Sequence, residues 1–209
     1  AEGFWGEVEC AFLNTYQARW QYTADSLGYG FAQGKTMLFR RRDLAQAGGL
    51  IALGAEVAED AAATKLIRAQ GHVAQLVDAP FRQPLGTRTA RQVWDRQARW
   101  ARLRRMTFPH LFLPELFTTG LIPIAAGAIV ADDLDLPAWL LAGVIAVLWY
   151  GAEAVLARSA GWQYTWRAPL AALVRDILIP CLWVQAWLSN SFSWRGNEVH
   201  ADQPVTQTS

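Results

Sequence analysis

The chain has 209 residues, a formal net charge of +1, 53% hydrophobic residues and eleven tryptophans. Neither charge sign dominates, and the two isolated cysteines, Cys10 and Cys181, exclude a disulfide framework and a zinc site recognisable by spacing. Polar and apolar residues are segregated. Residues 1–110 hold most of the arginine and acidic side chains, whereas residues 111–190 are mostly apolar, so we expect a soluble part followed by a membrane region.

The soluble part alternates strand-like and helix-like segments. Residues 34–41, GKTMLFRR, and residues 72–78, HVAQLVD, have the apolar and β-branched content of short strands. Between them, residues 41–50 predict a short helix, and residues 59–71 predict a longer one whose final glycine suits the position after a helix. This strand–helix–strand order predicts an α/β sheet domain.

An arginine-rich helix is predicted over residues 88–105, just before the apolar region. At 100° per residue, Arg96, Arg99 and Trp100 fall on one face of this helix, and other arginines fall on the opposite face. A nucleic-acid partner is not expected, because this basic cluster directly precedes an apolar segment.

Three apolar runs follow, at 111–131, about 136–157 and about 169–189, each close to the roughly 20 residues that span a bilayer. Arginines lie before the first run and between the second and third, which predicts that both places are cytoplasmic. Arg175 and Asp176 interrupt the third run, and each costs roughly 2.5–3.5 kcal/mol at a helix centre. The third segment is therefore either spanning or re-entrant.

Two groups of side chains could carry chemistry. Asp60, at the start of a predicted helix, could accept a proton from an attacking hydroxyl, or it could be an ordinary N-cap of that helix. Arg96 and Arg99 could hold a diphosphate, because guanidinium groups match phosphate oxygens, with Trp100 stacking beside them. The alternative is a membrane-proximal basic helix that binds anionic headgroups, worth about 1 kcal/mol per arginine.

The order of these features resembles the ceramide glucosyltransferase family, glycosyltransferase family 21, among the inverting membrane glycosyltransferases of the GT-A type. Their pattern is D, D-x-D, E/D-D, (Q/R)-x-x-R-W. Here ED at 59–60 follows the segment QAGGL and precedes RQARW at 96–100, and the segment SFSWRGN resembles the family's S-W-R-x-G ending. The resemblance covers roughly residues 8–197.

The resemblance implies a domain division. Residues 1–110 would be the acceptor side of a cytoplasmic catalytic part, a partial GT-A domain of the α/β class. Residues 111–190 would form about three transmembrane or re-entrant helices, and residues 191–209 a polar tail, whose last residues we expect to be disordered.

The resemblance also implies a reaction and residue roles. The reaction is the transfer of glucose from UDP-glucose to the primary hydroxyl of ceramide, with inversion. Asp60 matches the general base that deprotonates this hydroxyl. Arg96, Arg99 and Trp100 match the positions that bind the leaving nucleotide diphosphate and shape the acceptor mouth.

Two departures from the family pattern leave alternatives open. The family's nucleotide-binding half and N-terminal membrane anchor are not in this chain, so we expect a fragment or a chain with a companion, and a divalent metal, Mg or Mn, whose ligands lie elsewhere. Gln17 stands where animal members carry histidine, so a hopanoid or another lipid is an alternative acceptor. The rival class is a non-catalytic membrane-anchored scaffold. The arginine-rich, lysine-poor composition predicts a bacterial inner membrane, with the catalytic part cytoplasmic.

Overall fold

A computed structural model describes residues 1–56, 58–188, 191–194 and 197–200. The first half is built from α1 (Gly3–Ala11), a π-helical stretch (Phe12–Ala18), α2 (Arg19–Ser26), α3 (Arg41–Gln46), α4 (Gly49–Ala52), a 3₁₀ turn (Leu53–Ala55), α5 (Glu59–Ala69) and α6 (Ala90–Thr107). The second half contains α7 (Pro109–Phe112), a 3₁₀ segment (Leu113–Thr118), α8 (Leu121–Val130), a 3₁₀ turn (Asp132–Leu134), α9 (Ala138–Ser159) and α10 (Ala168–Leu188). Strands β1 (Ser191–Trp194) and β2 (Asn197–His200) then pair in antiparallel fashion.

The N-terminal helical stretch, residues 3–26, is the element on which the core is built. Its backbone stays right-handed and helical through both junctions, at Phe12 and Arg19. Val8, Phe12 and Tyr16 follow one another at four-residue intervals and are almost fully buried. They pack with buried side chains of α6 and α10, so this helix joins the basic helix to the last apolar helix.

The prediction of an α/β domain is wrong. Within the described part of the chain, the paired strands are β1 and β2, which lie after the apolar helices, and neither 34–41 nor 72–78 forms a strand. The physical reason is that backbone amides of these segments have other partners. In each segment, a helix side chain accepts a hydrogen bond from an amide that a neighbouring strand would otherwise bind. Asp60 accepts from the Gly34 amide and Asp25 from the Leu76 amide, at 3.1 Å each.

The helix predictions fared better. Helix α5 ends as expected, because Gly71 adopts a left-handed φ of 78° and its amide donates to the Arg68 carbonyl at 2.9 Å. The amide of His72 donates to the Ile67 carbonyl at 3.1 Å, which completes a Schellman motif. Helix α6 begins at a capping box between Thr89 and Gln92, two residues later than predicted.

The membrane region differs from the prediction in where it is broken. Helices α9 and α10 are each long and apolar enough to cross a membrane, and α10 is one helix of 21 residues despite its charged pair. The first apolar run is the interrupted one. Residues 109–118 and 121–130 form two helical pieces bent by 49°, which make a third span only if both pieces are counted together. The tail residues 201–209, expected to be disordered, lie outside the described residues.

Candidate active site

Asp60 lies at the second position of α5 and is partly buried. Its Oδ1 accepts a hydrogen bond from the Ala61 amide at 2.8 Å, and its Oδ2 accepts one from the Gly34 amide at 3.1 Å. Asp60 is therefore inside the helix, and Ala58 occupies the N-cap position without a side-chain cap. The segment around Gly34 packs tightly here, since a Cβ on Gly34 would lie 3.3 Å from the Asp60 carboxylate.

The environment of Asp60 suits the predicted role of a general base. Burial raises the pKa of its carboxyl, and the two backbone amides oppose this shift while the charge of Glu59 adds to it. A carboxylate with a raised pKa holds a proton more strongly, which improves general-base catalysis near neutral pH. The arrangement can accept a proton from a hydroxyl that approaches the exposed side of the group.

Arg96 is oriented by an ion pair with the N-terminal helix. Its Nη1 donates to Glu9 Oε1 at 2.8 Å, and the Glu9 side chain is fully buried. The guanidinium carbon of Arg96 lies 5.6 Å from the Trp100 ring centroid, within the range of a cation–π contact. The Glu9 contact therefore fixes where Arg96 lies and balances its charge.

Arg99 lies one turn further along the same helix face. Partial burial lowers the pKa of its guanidinium, and the charge of Arg96 acts in the same direction, opposed by Asp95 and Glu9. The structure thus places Arg96, Arg99 and Trp100 together on α6, as the helical spacing predicts.

The residue after Gly34 carries a positive charge. The Gly34 amide binds Asp60, and Lys35 is the next residue. Partial burial of the Lys35 amine lowers its pKa, Arg96 acts in the same direction, and Glu9 opposes them. Lys35 therefore adds positive charge next to the residue whose amide binds Asp60.

Sequence reasoning missed Lys35 and Glu9. Lys35 is one of only two lysines in the chain, and it follows a glycine at the start of a predicted strand, which could have drawn attention to it. Glu9 is a carboxylate in an apolar helical stretch, beside the buried residue Val8. A buried charge of this kind usually has a partner, so Glu9 could have been matched with an arginine.

Gln17, noted in the sequence for its position, contacts the same helix. Its Nε2 donates to Oε1 of Gln97, the glutamine of RQARW, at 3.0 Å. Gln97 is almost completely buried, and its own Nε2 has no hydrogen-bond acceptor among the described residues. Gln17 therefore packs behind the arginine face and supports α6 from the N-terminal helix.

The expected divalent metal has no matching ligand set in the described part of the chain. There, no group of three or more histidine, cysteine, aspartate or glutamate side chains is arranged to hold a metal ion.

A protein-family model described as Glycosyl transferase family 21 matches residues 1–205. The chain belongs to this family. It is 23% identical over 208 residues to Ceramide glucosyltransferase 3 of Caenorhabditis elegans, an alignment that covers 95% of this chain and 44% of that protein. It is 29% identical over 125 residues to Ceramide glucosyltransferase 1 of the same organism, covering 58% of this chain and 27% of that protein. No solved structure matches the chain.

Membership of glycosyl transferase family 21 confirms the predicted family, and the apolar helices identify a membrane protein. The chain spans less than half the length of the two relatives that it matches. The residue roles in this family 21 chain stay predictions. They rest on where the structure places four side chains, those of Asp60, Arg96, Arg99 and Trp100.

Proposed function

We propose that the protein is a membrane glycosyltransferase that moves glucose from UDP-glucose to the primary hydroxyl of ceramide, with inversion at the anomeric carbon. The observations that carry the proposal are the partly buried carboxylate of Asp60, bound by the Gly34 amide, and an arginine-bearing helix whose Arg96 is oriented by Glu9. The family match and the names of the two relatives support the choice of reaction and substrates.

The reaction is a direct displacement. Asp60 takes the proton of the acceptor hydroxyl while the oxygen of that hydroxyl forms a bond to the anomeric carbon of the sugar. The bond from that carbon to the diphosphate oxygen breaks, and UDP leaves with the electron pair. A single displacement on the face opposite the leaving group inverts the anomeric configuration, and both groups must be held in line for it to occur.

The departing diphosphate requires positive charge that is already in place. Glu9 orients Arg96, so we assign to Arg96 the role of a hydrogen-bond donor to the diphosphate, while Arg99 and Lys35 carry further positive charge. Trp100 lies beside Arg96 and supplies a flat apolar wall. The divalent metal expected for the family would bind the diphosphate through ligands other than the described residues.

The location of the site also follows from the charge pattern. Helix α6 and the loop between α9 and α10 both carry arginine next to apolar helices, and arginine is enriched on the cytoplasmic side. We assign both to the cytoplasmic face of a bacterial inner membrane. The site would then receive a soluble donor from the cytoplasm and a lipid from the bilayer.

The test uses the complete protein that contains this chain, in its native membrane. Radiolabelled UDP-glucose is supplied with ceramide or with a hopanoid polyol, and the labelled lipid is identified by mass. A β-glucosylceramide that disappears in Asp60→Asn would support the reaction and the base together. A labelled hopanoid would refute ceramide as the acceptor and retain the mechanism, and no labelled lipid from any donor would refute the enzyme assignment.

A further inference from the structure

The bend in the first apolar run is held by charged side chains from other elements. The run stops being helical between the 3₁₀ segment and α8, at Thr119 and Gly120, where the two pieces meet at 49°. A bend in an apolar run frees backbone groups, and such groups need partners wherever water is excluded. The Thr118 carbonyl and the Gly120 amide both have charged partners.

Asp176 of α10 binds one side of the bend. Its Oδ2 accepts from the Gly120 amide at 2.8 Å and from the Tyr150 hydroxyl at 3.1 Å, while its Oδ1 accepts from Arg175 Nε at 2.8 Å. Both charged residues are 0% exposed. The pair that interrupts the third apolar run is therefore turned into the protein rather than towards lipid.

Arg19 of the N-terminal helix binds the other side of the bend. Its Nη2 donates to the Thr118 carbonyl at 3.1 Å, and its Nη1 donates to Glu153 Oε1 at 3.0 Å. Glu153 also receives two hydrogen bonds from Arg175, at 2.9 and 3.0 Å. Two arginines and two carboxylates thus form a charge-balanced cluster that joins the N-terminal helix, the bend, α9 and α10.

The piece before the bend is held against the basic helix. Glu115 accepts from Arg104 of α6 at 2.7 and 2.9 Å and from the Tyr16 hydroxyl at 3.1 Å. Three apolar side chains of residues 109–118 remain exposed, namely Leu111, Leu113 and Phe117. Residues 109–118 therefore present charge to α6 and apolar surface outward, as a helix at a membrane interface does.

We propose that Asp176 and Arg19 are positioning residues that hold this bend, so that residues 109–118 form the membrane-side wall of the acceptor entrance beside α6. The proposal rests on the proposed function, because it requires an acceptor that arrives from the bilayer. If the bend shifts, the lipid meets a displaced wall, whereas the diphosphate still meets the arginine face of α6. Disturbing the bend should therefore impair use of the lipid and leave use of the donor unchanged.

Gly120→Ala tests the bend directly. A Cβ at this position would lie 2.8 Å from Trp149 Cδ1 and 3.2 Å from Asp176 Oδ2, so a neighbour must move. The backbone itself tolerates alanine, since φ is −66°. Gly151→Ala on α9 is the matched control, because a Cβ there meets nothing within 4 Å. Asp176→Asn is the second variant, since one amide cannot accept from Gly120 and Arg175 at once.

The complete protein is reconstituted in lipid nanodiscs, and KM for the lipid, KM for the donor and the thermal midpoint are measured. We expect both test variants to raise the lipid KM by at least about threefold. A displacement of the bend by up to about 1 Å is enough to produce an effect of this size. The donor KM should stay constant, and Gly151→Ala should match the wild type. An equal rise in both KM values, or a lower thermal midpoint with an unchanged lipid KM, would overturn the proposal.

A second measurement separates this proposal from the proposed function. With both native cysteines replaced, a nitroxide on Phe117→Cys reports its depth from collisions with oxygen and with a water-soluble nickel complex. We expect an interfacial depth that shifts in Gly120→Ala and not in Gly151→Ala. If the wild type glycosylates no lipid, the proposed function fails, while a depth that does not shift still overturns the positioning role of the bend.

Discussion

Replacing Asp60 by asparagine should remove catalysis while leaving the fold in place. Asparagine has the same shape, and its carbonyl oxygen can still accept from either Ala61 or Gly34, but not from both. One hydrogen bond to a charged acceptor is lost. We expect the free energy of unfolding to fall by about 1.5 kcal/mol, the low end of the usual range, because Asp60 is only partly buried. Loss of a general base should lower kcat by about 10²–10⁴-fold.

Glu59→Gln is the matched control. Glu59 is the neighbouring carboxylate in the first turn of α5, so it shares the helix-dipole environment without binding Gly34. Glycolipid formation and thermal melting are measured for both variants in detergent. The reasoning would be refuted if Asp60→Asn retained turnover within about tenfold of the wild type, or if Glu59→Gln lost as much activity as Asp60→Asn.

The same pair of residues gives a pH prediction. Asp60 must be ionised to accept a proton, so activity should fall as the pH falls through its pKa, which burial raises above the ordinary aspartate value. The charge of Glu59 contributes to this rise. Glu59→Gln should therefore move the acid limb of the kcat/KM profile to lower pH, and an unchanged limb would exclude Asp60 as the titrating base.

Three further predictions concern the surroundings of the site. Glu9→Gln should destabilise the protein by about 1–3 kcal/mol, seen as a lower thermal midpoint, because it places an unpaired amide donor in a buried site beside Arg96. Lys35→Ala should weaken UDP binding in calorimetry, more at low salt than at high salt, since the lost contribution is electrostatic. Phe112→Ala should cost about 3–5 kcal/mol, because the ring is buried against two tryptophans, whereas the exposed Phe117→Ala should stay within about 0.5 kcal/mol.

The helices could be predicted because their signals are local. Gly71 at the end of α5 and the arginine-rich run of α6 each depend on neighbours within a few residues. The strands could not, because a strand forms only where another backbone supplies donors and acceptors. In each of the segments 34–41 and 72–78, a helix side chain binds one backbone amide, and the apolar side chains of Leu38 and Val77 remain exposed.

The candidate site was predictable in part for the same reason. Arg96, Arg99 and Trp100 share a face because the helical period places them there, and this needs no tertiary information. Glu9 joins them across a long stretch of chain, and spacing gives no hint of such a contact. Charge pairing is the only signal that could have found Glu9.

The buried charges of the third apolar run show why composition misleads in a membrane region. Counted singly, Arg175 and Asp176 each weaken a spanning helix, so the sequence leaves open whether this segment spans or is re-entrant. In the structure they bind Glu153 and Gly120, so the cost is offset by partners on α9 and at the bend. Helix α10 is unbroken although it carries both charges. The irregular backbone lies in the first run, where charged side chains supply its hydrogen bonds. In this chain, the charged pair of the third run therefore serves another segment, because Asp176 accepts a hydrogen bond from the bend in the first run.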